Sequence, residues 1–546
     1  MLHRRLASLV MCLAGIAMQV DARELSQETA QESKAVAPAT NSAAAQAAAV
    51  NTTNRELLAW WYLQADTAWA KRREAGPVTR EITAAANRTF DNATLSFFRL
   101  DVGNAISTLT ELRESFGPAQ ASQSSDKARL PPAVLTIMPR VCRGDLSADA
   151  TPQPSFAISF LRAPEKDLRG SYWLTLTSMP STTIPAVKVD INLKAGEVPG
   201  VVNVPMAGLV ETLHRTAAGE PALWEFSLLS EDRTVWASER LATAAFSLNS
   251  RRAENVAAIK ALPEIDPGKP VEEAAAVKLA RSIFLSRNTL LTDAPNRNNS
   301  AQFLANWGSL PGQLELELRQ VTAGKSPYPL EGRWWTGVKT SGGTIGCWID
   351  SPARAERDKS SALPLLVLLH GAGGDESMFM FGYGGGTVVK QAVARGMVVC
   401  SVATTQMMAS KEAFDEVVTF ARGLFNIDPA RIYVAGHSMG AMAASSIAQR
   451  PGIAAAVCFA GGQFREDKPT CPVLVIAGAI DPIVAVAGLE AMVKKAKRDS
   501  ITFVSKADYG HTLLVGDFAA EMLDYLHRFS CPAAPITLLK PEGSAP

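Results

Sequence analysis

Short apolar runs alternate with stretches of helical periodicity between residues 327 and 531. Residues 334–349 read as strand, turn and strand, with glycines at the turn. The other predicted strands are 364–369, 397–402, 431–435, 455–460, 473–477 and 502–504, and the predicted helices are 385–394, 414–425, 439–449 and 487–497. Continuous apolar strands separated by helices predict an α/β domain, in which a mostly parallel sheet is covered by helices on both faces.

The residues before this domain show two other patterns. Apolar side chains such as Leu57, Trp61 and Trp69 recur at helical spacing, whereas 172–177 and 223–229 are rich in β-forming residues. The predicted divisions are a helical region at 54–132, a sandwich-like β-rich domain at 133–262, a helical connector at 263–326, the α/β domain at 327–531 and a tail at 532–546. No catalytic constellation is recognisable in residues 54–326.

The chain starts with the pattern of a secretory signal peptide. His3, Arg4 and Arg5 form a basic start, and an apolar run of about fifteen residues follows, shorter than the ~20 that a membrane helix needs. We therefore predict a signal peptide at 1–22, a flexible linker at 23–53 and an exported protein, periplasmic or secreted. The alternative for residues 1–22 is an uncleaved amino-terminal anchor. The mature chain is expected to carry no membrane span.

Charge and cysteine content narrow the choice of partner. The 54 basic and 53 acidic side chains leave a net charge of +1, so nucleic acid is not an expected partner. The six cysteines beyond the leader match no zinc-binding spacing. Cys400 and Cys458 lie in apolar runs and are expected to be buried thiols, whereas a disulfide among Cys347, Cys471 and Cys531 stays open.

The candidate nucleophile is Ser438. An apolar strand leads into Gly436-His437-Ser438-Met439-Gly440, and a helix of small residues follows at once. A serine on such a sharp strand-to-helix turn needs glycines two residues before and after it, because its strained backbone leaves no room for side chains there. The turn aims the amides at the start of the helix at a developing negative charge.

A second motif lies about seventy residues upstream. The apolar residues 365–369 lead into His370-Gly371-Ala372-Gly373-Gly374, the strand followed by a glycine-rich loop that supplies an amide to an oxyanion hole. We predict an oxyanion hole formed by Met439 together with Gly371, Ala372 and Gly373.

The candidate base is His511. Only His511 and His527 follow the serine, and His511 lies in a loop after the last predicted strand, whereas His527 lies at the end of a helix. Asp481 follows strand 473–477, which gives the chain order Ser, Asp, His that this fold uses. Asp508 is too close to His511 in sequence and is expected to face elsewhere.

Residues 327–531 resemble the α/β-hydrolase-fold serine esterases, especially the branch of polyhydroxybutyrate-depolymerase-like and feruloyl-esterase-like enzymes. The resemblance rests on the segment 365–376, the run 425–434 before the serine, and the Asp481-Pro-Ile-Val and Tyr509-Gly-His-Thr pieces. It implies that Ser438, Asp481 and His511 form a catalytic triad. The form Gly-His-Ser-Met-Gly is shared with general lipases and thioesterases, so the substrate stays open.

Four further residues are predicted to contact the substrate. Phe379 and Tyr383 follow the glycine-rich loop 370–374 and could line an acyl or aryl pocket. His370 is the first residue of that loop, and His437 directly precedes Ser438. Such chemistry requires no metal or organic cofactor.

The resulting hypothesis is a serine carboxylic-ester hydrolase acting on a small-molecule or polymeric ester. Two alternatives stay open: a serine peptidase of the prolyl-oligopeptidase type, and a binding or scaffold protein with an inactive hydrolase domain. Trp173, Trp224 and Trp236 could stack on sugars or polymer and target the enzyme to an insoluble substrate if they form an exposed row, but we expect them to point into the core. The sequence leaves the oligomeric state open.

Overall fold

The structure is a computed structural model that describes residues 43–531 except 117–132, 139–140, 144–154, 161–166, 179–182, 196–201, 230–234, 292–309, 329–331, 354–361, 465–470 and 498. The predicted signal peptide, most of the predicted linker and the tail at 532–546 lie outside the described residues. Within the described ranges, no helix has both the length and the apolar composition of a membrane span.

Three helices come first: α1 (Ala43–Glu74), α2 (Arg80–Phe98) and α3 (Val102–Ser115). The start of α1 falls inside the predicted linker, where a run of alanines favours helix over coil. The Thr79 and Asp101 side chains cap α2 and α3 by accepting amide hydrogen bonds from the first turn. Trp69 and Phe90 lie in the core of these helices, together with Leu513 of the α/β domain. The helices therefore share apolar packing with that domain.

The β-rich region contains β1 (Ala133–Met138), β2 (Val141–Arg143), β3 (Ser155–Phe160), β4 (Leu168–Ser178), β5 (Thr183–Leu193), β6 (Val202–Pro205), helix α4 (Ala207–Thr216), β7 (Ala222–Leu229) and β8 (Val235–Ala244). These strands form one sheet in the order β1-β3-β6 and another in the order β2-β8-β7-β4-β5. The two sheets and α4 share one apolar cluster. Trp224 is fully buried in that cluster, and its indole N–H donates to Thr243. Its burial counts against the exposed tryptophan row.

Three helices follow: α5 (Leu248–Lys260), α6 (Val271–Asn288) and α7 (Leu310–Thr322). A buried ion pair joins α6 to α7, because the Arg287 guanidinium donates to both carboxylate oxygens of Glu317. Arg287 also donates to the carbonyl of Trp335 at 2.7 Å, and Ser286 accepts the amide of Gly337. The helices predicted as a connector are thus bonded to the first strand of the next sheet.

The α/β domain contains β9 (Trp334–Thr340), β10 (Gly343–Asp350), β11 (Leu363–Leu369), α8 (Met378–Phe381), α9 (Tyr383–Ala394), β12 (Val398–Val402), α10 (Thr404–Met408), α11 (Ala413–Leu424), β13 (Ile427–His437), α12 (Met439–Ile447), β14 (Ala455–Phe459), β15 (Val473–Gly478), α13 (Val486–Ala496), β16 (Ile501–Lys506), α14 (Leu514–Asp517) and α15 (Ala519–Leu526). Each strand predicted from the sequence is present at nearly the predicted position.

The eight strands form one sheet in the order β9-β10-β12-β11-β13-β14-β15-β16. Only β10 runs against its neighbours, and every pair from β12 to β16 is parallel. This order is that of the α/β-hydrolase fold, so the predicted fold class is confirmed. Strands β12, β14 and β15 are buried at every position, as expected of a sheet with helices on both faces.

Five cysteines of the α/β domain are described, and all five are free thiols. Cys400 and Cys458 are buried, as predicted from their apolar surroundings. The alternative of a disulfide among Cys347, Cys471 and Cys531 is therefore not present in this structure.

Candidate active site

Ser438 occupies the turn between β13 and α12 with a positive φ of 54° and a ψ of −114°. A Cβ at Gly436 would lie 2.1 Å from the carbonyl oxygen of Gly440, and one at Gly440 would lie 2.0 Å from that of Leu369. The two glycines of the motif are thus required by backbone packing, as predicted. A non-glycine residue in such a conformation costs on the order of 1–3 kcal/mol and persists only when the surrounding structure holds it.

His511 and Asp481 are brought together at the carboxyl ends of neighbouring strands. Asp481 follows β15 and His511 follows β16, and the distance from His511 Nδ1 to Asp481 Oδ2 is 2.8 Å. The amides of Ile483 and Val484 donate to the other carboxylate oxygen at 2.8 and 2.9 Å. Both side chains of the pair are almost fully buried. The carboxylate is therefore fixed on both sides and holds the imidazole in one orientation.

The charges around His511 favour its protonated form. Burial lowers the pKa of His511, but Asp481 and then Asp91 act in the opposite direction and the pKa is raised above its ordinary value. A protonated imidazole is the species that forms when a histidine takes a proton from a serine.

Ser438 is connected to the His511–Asp481 pair by its neighbour in the chain, His437, which contacts His511. His437 Nε2 donates to the carbonyl of His511 at 2.9 Å, and the two rings are 4.7 Å apart. Among the described side chains, no hydrogen bond joins the Ser438 hydroxyl to the His511 ring. Catalytic hydrogen bonds are often long in ligand-free sites and shorten when substrate binds.

The structure corrects one prediction for the oxyanion loop, residues 370–374. The amide of Gly371 donates to the Tyr383 hydroxyl at 3.4 Å, so it is directed into the protein and not at a substrate. Met439 is the first residue of α12, where a helix leaves its amides without internal acceptors. Ala372 and Gly373 follow in the loop, and Gly373 has a φ of 79°. Gly371 is therefore removed from the predicted donors, whereas Met439, Ala372 and Gly373 stay predictions.

His370 and His437 do not have the substrate contacts predicted for them. His370 Nε2 accepts the amide of Thr404 at 2.9 Å, and its Nδ1 donates to the carbonyl of Gly371 at 2.8 Å. His437 donates from Nε2 to His511 and accepts the Tyr383 hydroxyl at Nδ1 at 2.8 Å. Burial, and then the charge of His511, lowers the pKa of His437 well below its ordinary value, so it stays neutral. Both rings use both nitrogens within the protein and hold the loops in place.

Phe379 and Tyr383 are also interior side chains and not pocket walls. They are 0% and 1% exposed, and their rings pack edge to face at 4.7 Å. The Tyr383 hydroxyl accepts the amide of Gly371 and donates to His437, so Tyr383 supports the oxyanion loop from the interior. Their polar and apolar contacts are to the protein, which corrects the prediction that they touch substrate.

The sequence did not predict the part that the amino-terminal helices take in the site. Asp66 of α1 accepts the amides of Gly384 and Gly385 at 2.8 and 2.9 Å. These glycines belong to a run in which residues 383–386 all have positive φ. Burial raises the pKa of Asp66 to about 6, against the lowering effect of the two amides. The triple glycine 384–386 was the one sequence signal of this unusual backbone.

A second contact is made by α2. Asn87 accepts the amide of Gly510 at 2.9 Å, and Asp91 accepts the amide of His511 at 2.7 Å. Arg80 of the same helix pairs with Asp508 at 2.7 Å, so Asp508 faces away from His511 as predicted. Asn87 and Asp91 are four residues apart, and such spacing places two polar side chains on one helix face. The sequence alone did not reveal that both side chains, Asn87 and Asp91, are buried.

Comparison with known proteins gives structural neighbours only. The chain matches no family model, and no curated protein matches it. A thermostable esterase shares 22% identity over 36% of this chain and 63% of its own, with a TM-score of 0.31. The S-formylglutathione hydrolase FrmB of Staphylococcus aureus shares 16% identity over 36% and 98%, with a TM-score of 0.31. Est1E of Butyrivibrio proteoclasticus shares 18% identity over 36% and 100%, with a TM-score of 0.29.

The matched part spans less than two thirds of the thermostable esterase. At this level of similarity the neighbours carry no argument about what the chain does. The assignment of the fold rests on the strand order of the chain's own sheet.

Because α2 packs closely on the loop that carries His511, a methyl group added at Gly510 should strongly lower the stability of the protein. Gly510→Ala would place a Cβ 1.8 Å from Asp91 Oδ2, so helix and loop must separate. We expect the free energy of unfolding to fall by about 2–4 kcal/mol. Denaturation by guanidinium, followed by circular dichroism, measures this change.

Gly488→Ala is the matched control, because a Cβ there meets nothing within 4 Å and the residue lies in helix α13. It is expected to raise stability by about 0.5–1 kcal/mol. Equal unfolding midpoints for both variants would contradict the described packing at Gly510.

Proposed function

We propose that this protein is a serine hydrolase that cleaves carboxylic esters through an acyl-serine intermediate. The observation that carries the proposal is the strained turn at Ser438 beside the buried His511–Asp481 pair, with all three residues at the carboxyl ends of the sheet. This edge is where ligands bind in open α/β sheets.

The first half of the reaction forms the acyl-enzyme. His511 Nε2 takes the hydroxyl proton as Ser438 Oγ attacks the ester carbonyl carbon, and Asp481 stabilises the resulting imidazolium. The amides of Met439 and Ala372 donate to the tetrahedral oxyanion. When the intermediate collapses, the carbon–oxygen bond to the alcohol breaks and His511 returns the proton to the leaving oxygen.

The second half repeats these steps with water. His511 takes a proton from water as its oxygen attacks the acyl carbon, and a second oxyanion forms at the same amides. Collapse breaks the bond to Ser438 Oγ, which recovers its proton from His511, and the carboxylic acid leaves. The hydrogen bond from Nδ1 to Asp481 supports this cycle because it keeps the Nε2 lone pair available in the neutral state.

Ser438→Ala is expected to abolish ester hydrolysis, because it removes the atom that forms the acyl-enzyme. The assay is the hydrolysis of short- and medium-chain p-nitrophenyl esters by protein lacking residues 1–22. Circular dichroism establishes that the variant is folded, and labelling of the parent by a fluorophosphonate gives an independent readout.

The proposal would be refuted if the folded parent, like the Ser438→Ala variant, hydrolysed neither these esters nor peptide anilides. Turnover of anilides but not of esters would instead favour the peptidase alternative.

The pH profile tests the contribution of Asp481. Activity requires neutral His511, so kcat/KM rises with pH through the pKa of His511, which lies above the ordinary 6.5. Asp481→Asn removes the largest influence that raises this pKa, so the acid limb should move to lower pH. The rate should fall by about a thousandfold or more, because an amide no longer selects the correct tautomer. An unchanged limb and rate would contradict the assignment of Asp481.

We also propose that the protein is exported, either to the periplasm or outside the cell. The support is the basic start and short apolar run of residues 1–22. Expression in a bacterial host with its native leader should yield a mature chain that begins at Arg23, which amino-terminal sequencing detects. A chain that keeps Met1 and stays with the cytosolic fraction would disprove export.

A further inference from the structure

Helix α2 contacts the loop that carries His511 through two interior polar side chains. Asn87 is 0% and Asp91 is 1% exposed, and they accept the consecutive amides of Gly510 and His511. Asn87 is itself held, since its side-chain amide donates to the carbonyl of Thr83 at 2.9 Å. The amides of Gly510 and His511 are therefore anchored to α2, whereas the carbonyl of the preceding Tyr509 accepts the amide of Ile480 of the α/β domain at 3.0 Å.

Asp91 is a carboxylate, although a single neutral oxygen would be enough to accept the His511 amide. Oδ2 accepts the His511 amide at 2.7 Å, and the nearby Thr512 amide also favours the ionised carboxylate. Oδ1 is buried, and no described group lies in good hydrogen-bonding geometry to it. A buried carboxylate with a free oxygen is costly, and a neutral side chain could accept the same amide at lower cost. The carboxylate thus places a charge next to His511 that the hydrogen bond to the amide does not need.

The groups that face Asp91 come from three elements. The His511 ring, Asp481 and the Thr512 amide lie on the side of the α/β domain, and Tyr62 lies on α1. Among these groups His511 is the one that can become a cation. Burial raises the pKa of Asp91 to about 7, and His511 acts against that rise. Protonated His511 and ionised Asp91 therefore stabilise one another.

We propose that Asp91 is a positioning residue for His511, which fixes the backbone of the catalytic loop and supplies a second negative charge beside the imidazole. Asp481 orients the ring from Nδ1, and Asp91 acts from the main-chain side. The amino-terminal helices are thus part of the catalytic centre and not a separate module. This inference rests on the proposed hydrolase function.

The test uses two substitutions of Asp91 in the full mature chain. Asp91→Asn keeps an oxygen for the His511 amide and removes the charge, so the protein should fold. The pKa of His511 should fall, because Asp91 is one of the charges that raise it, and the acid limb of kcat/KM should move to lower pH. In Asp91→Ala the amide also loses its acceptor, and kcat should fall on the order of a hundredfold with KM little changed.

Arg80→Ala is the matched control. It breaks a contact between the same helix and the same loop, but the pair lies at the surface and does not touch His511. The control should keep the kcat, KM and pH profile of the parent. If Asp91 only held the loop in place, Asp91→Ala would lower stability but neither Asp91 variant would move the pH profile, and that result would overturn the proposal.

A direct titration separates this inference from the proposed function. The His511 ring is followed by NMR in protein with isotope-labelled histidine, and its signal is assigned with His511→Gln. If the parent hydrolyses no ester, the proposed function fails, yet the titration still shows whether Asp91→Asn lowers the pKa of His511. A His511 pKa that is equal in parent and Asp91→Asn would overturn the role of Asp91, whatever the activity.

Discussion

The backbone of Ser438 is the constraint on which the candidate site depends. Its φ of 54° is stable only because β13, α12 and the loop after β11 approach so closely that glycine is required at 436 and 440. Gly461, after β14, meets the same limit, since a Cβ there would lie 2.7 Å from the carbonyl oxygen of Ser438. The amide of Ser438 donates to the carbonyl of Phe459 at 2.8 Å, which fastens the turn to the neighbouring strand. A strained residue held by packing from three sides keeps its side chain at the edge of the sheet.

A network of neutral groups then fixes the loops around this turn. The His511 carbonyl accepts from His437, which accepts from Tyr383, and Tyr383 in turn accepts the amide of Gly371. His370 ties the same loop to the start of α10. Such a network of satisfied polar groups in the interior fixes relative positions more strictly than apolar contact does. It explains why His370 and His437, which belong to the two motifs, are buried beneath the candidate site.

Charged groups join the amino-terminal helices to the α/β domain. Asp66 and Asp91 of the helices accept hydrogen bonds from main-chain amides of the domain. Asp517 of the domain accepts the indole N–H of Trp69 and forms an ion pair with Arg73. Separation of the helices from the α/β domain would leave buried carboxylates or amides without partners, and each such group would cost several kcal/mol of folding free energy. The helices and the domain are thus coupled in stability. On the proposed function, a change in α1 or α2 would reach the catalytic loop without touching the substrate.

The α/β domain could be predicted from the sequence almost strand by strand. Buried parallel strands are continuously apolar, and that composition is visible without a structure. The motif around Ser438, the loop after residue 369 and the order of Asp481 and His511 are local signals of the same kind. Glycine spacing, in particular, reports backbone geometry directly, because no other residue fits where two main chains touch.

Only the tertiary structure decided how the amino-terminal helices contribute. Asp91 and His511 are 420 residues apart, and a lone acidic residue on a helix is ordinarily solvated. Only the docked helix shows that this carboxylate is buried against the loop that carries His511. In the same way, the direction of the Gly371 amide and the burial of His370 depend on contacts between distant segments. The sequence by itself determined the sheet, the strained turn and the candidate triad, since these follow from local composition. Burial and partner choice follow from long-range packing, which local patterns do not encode.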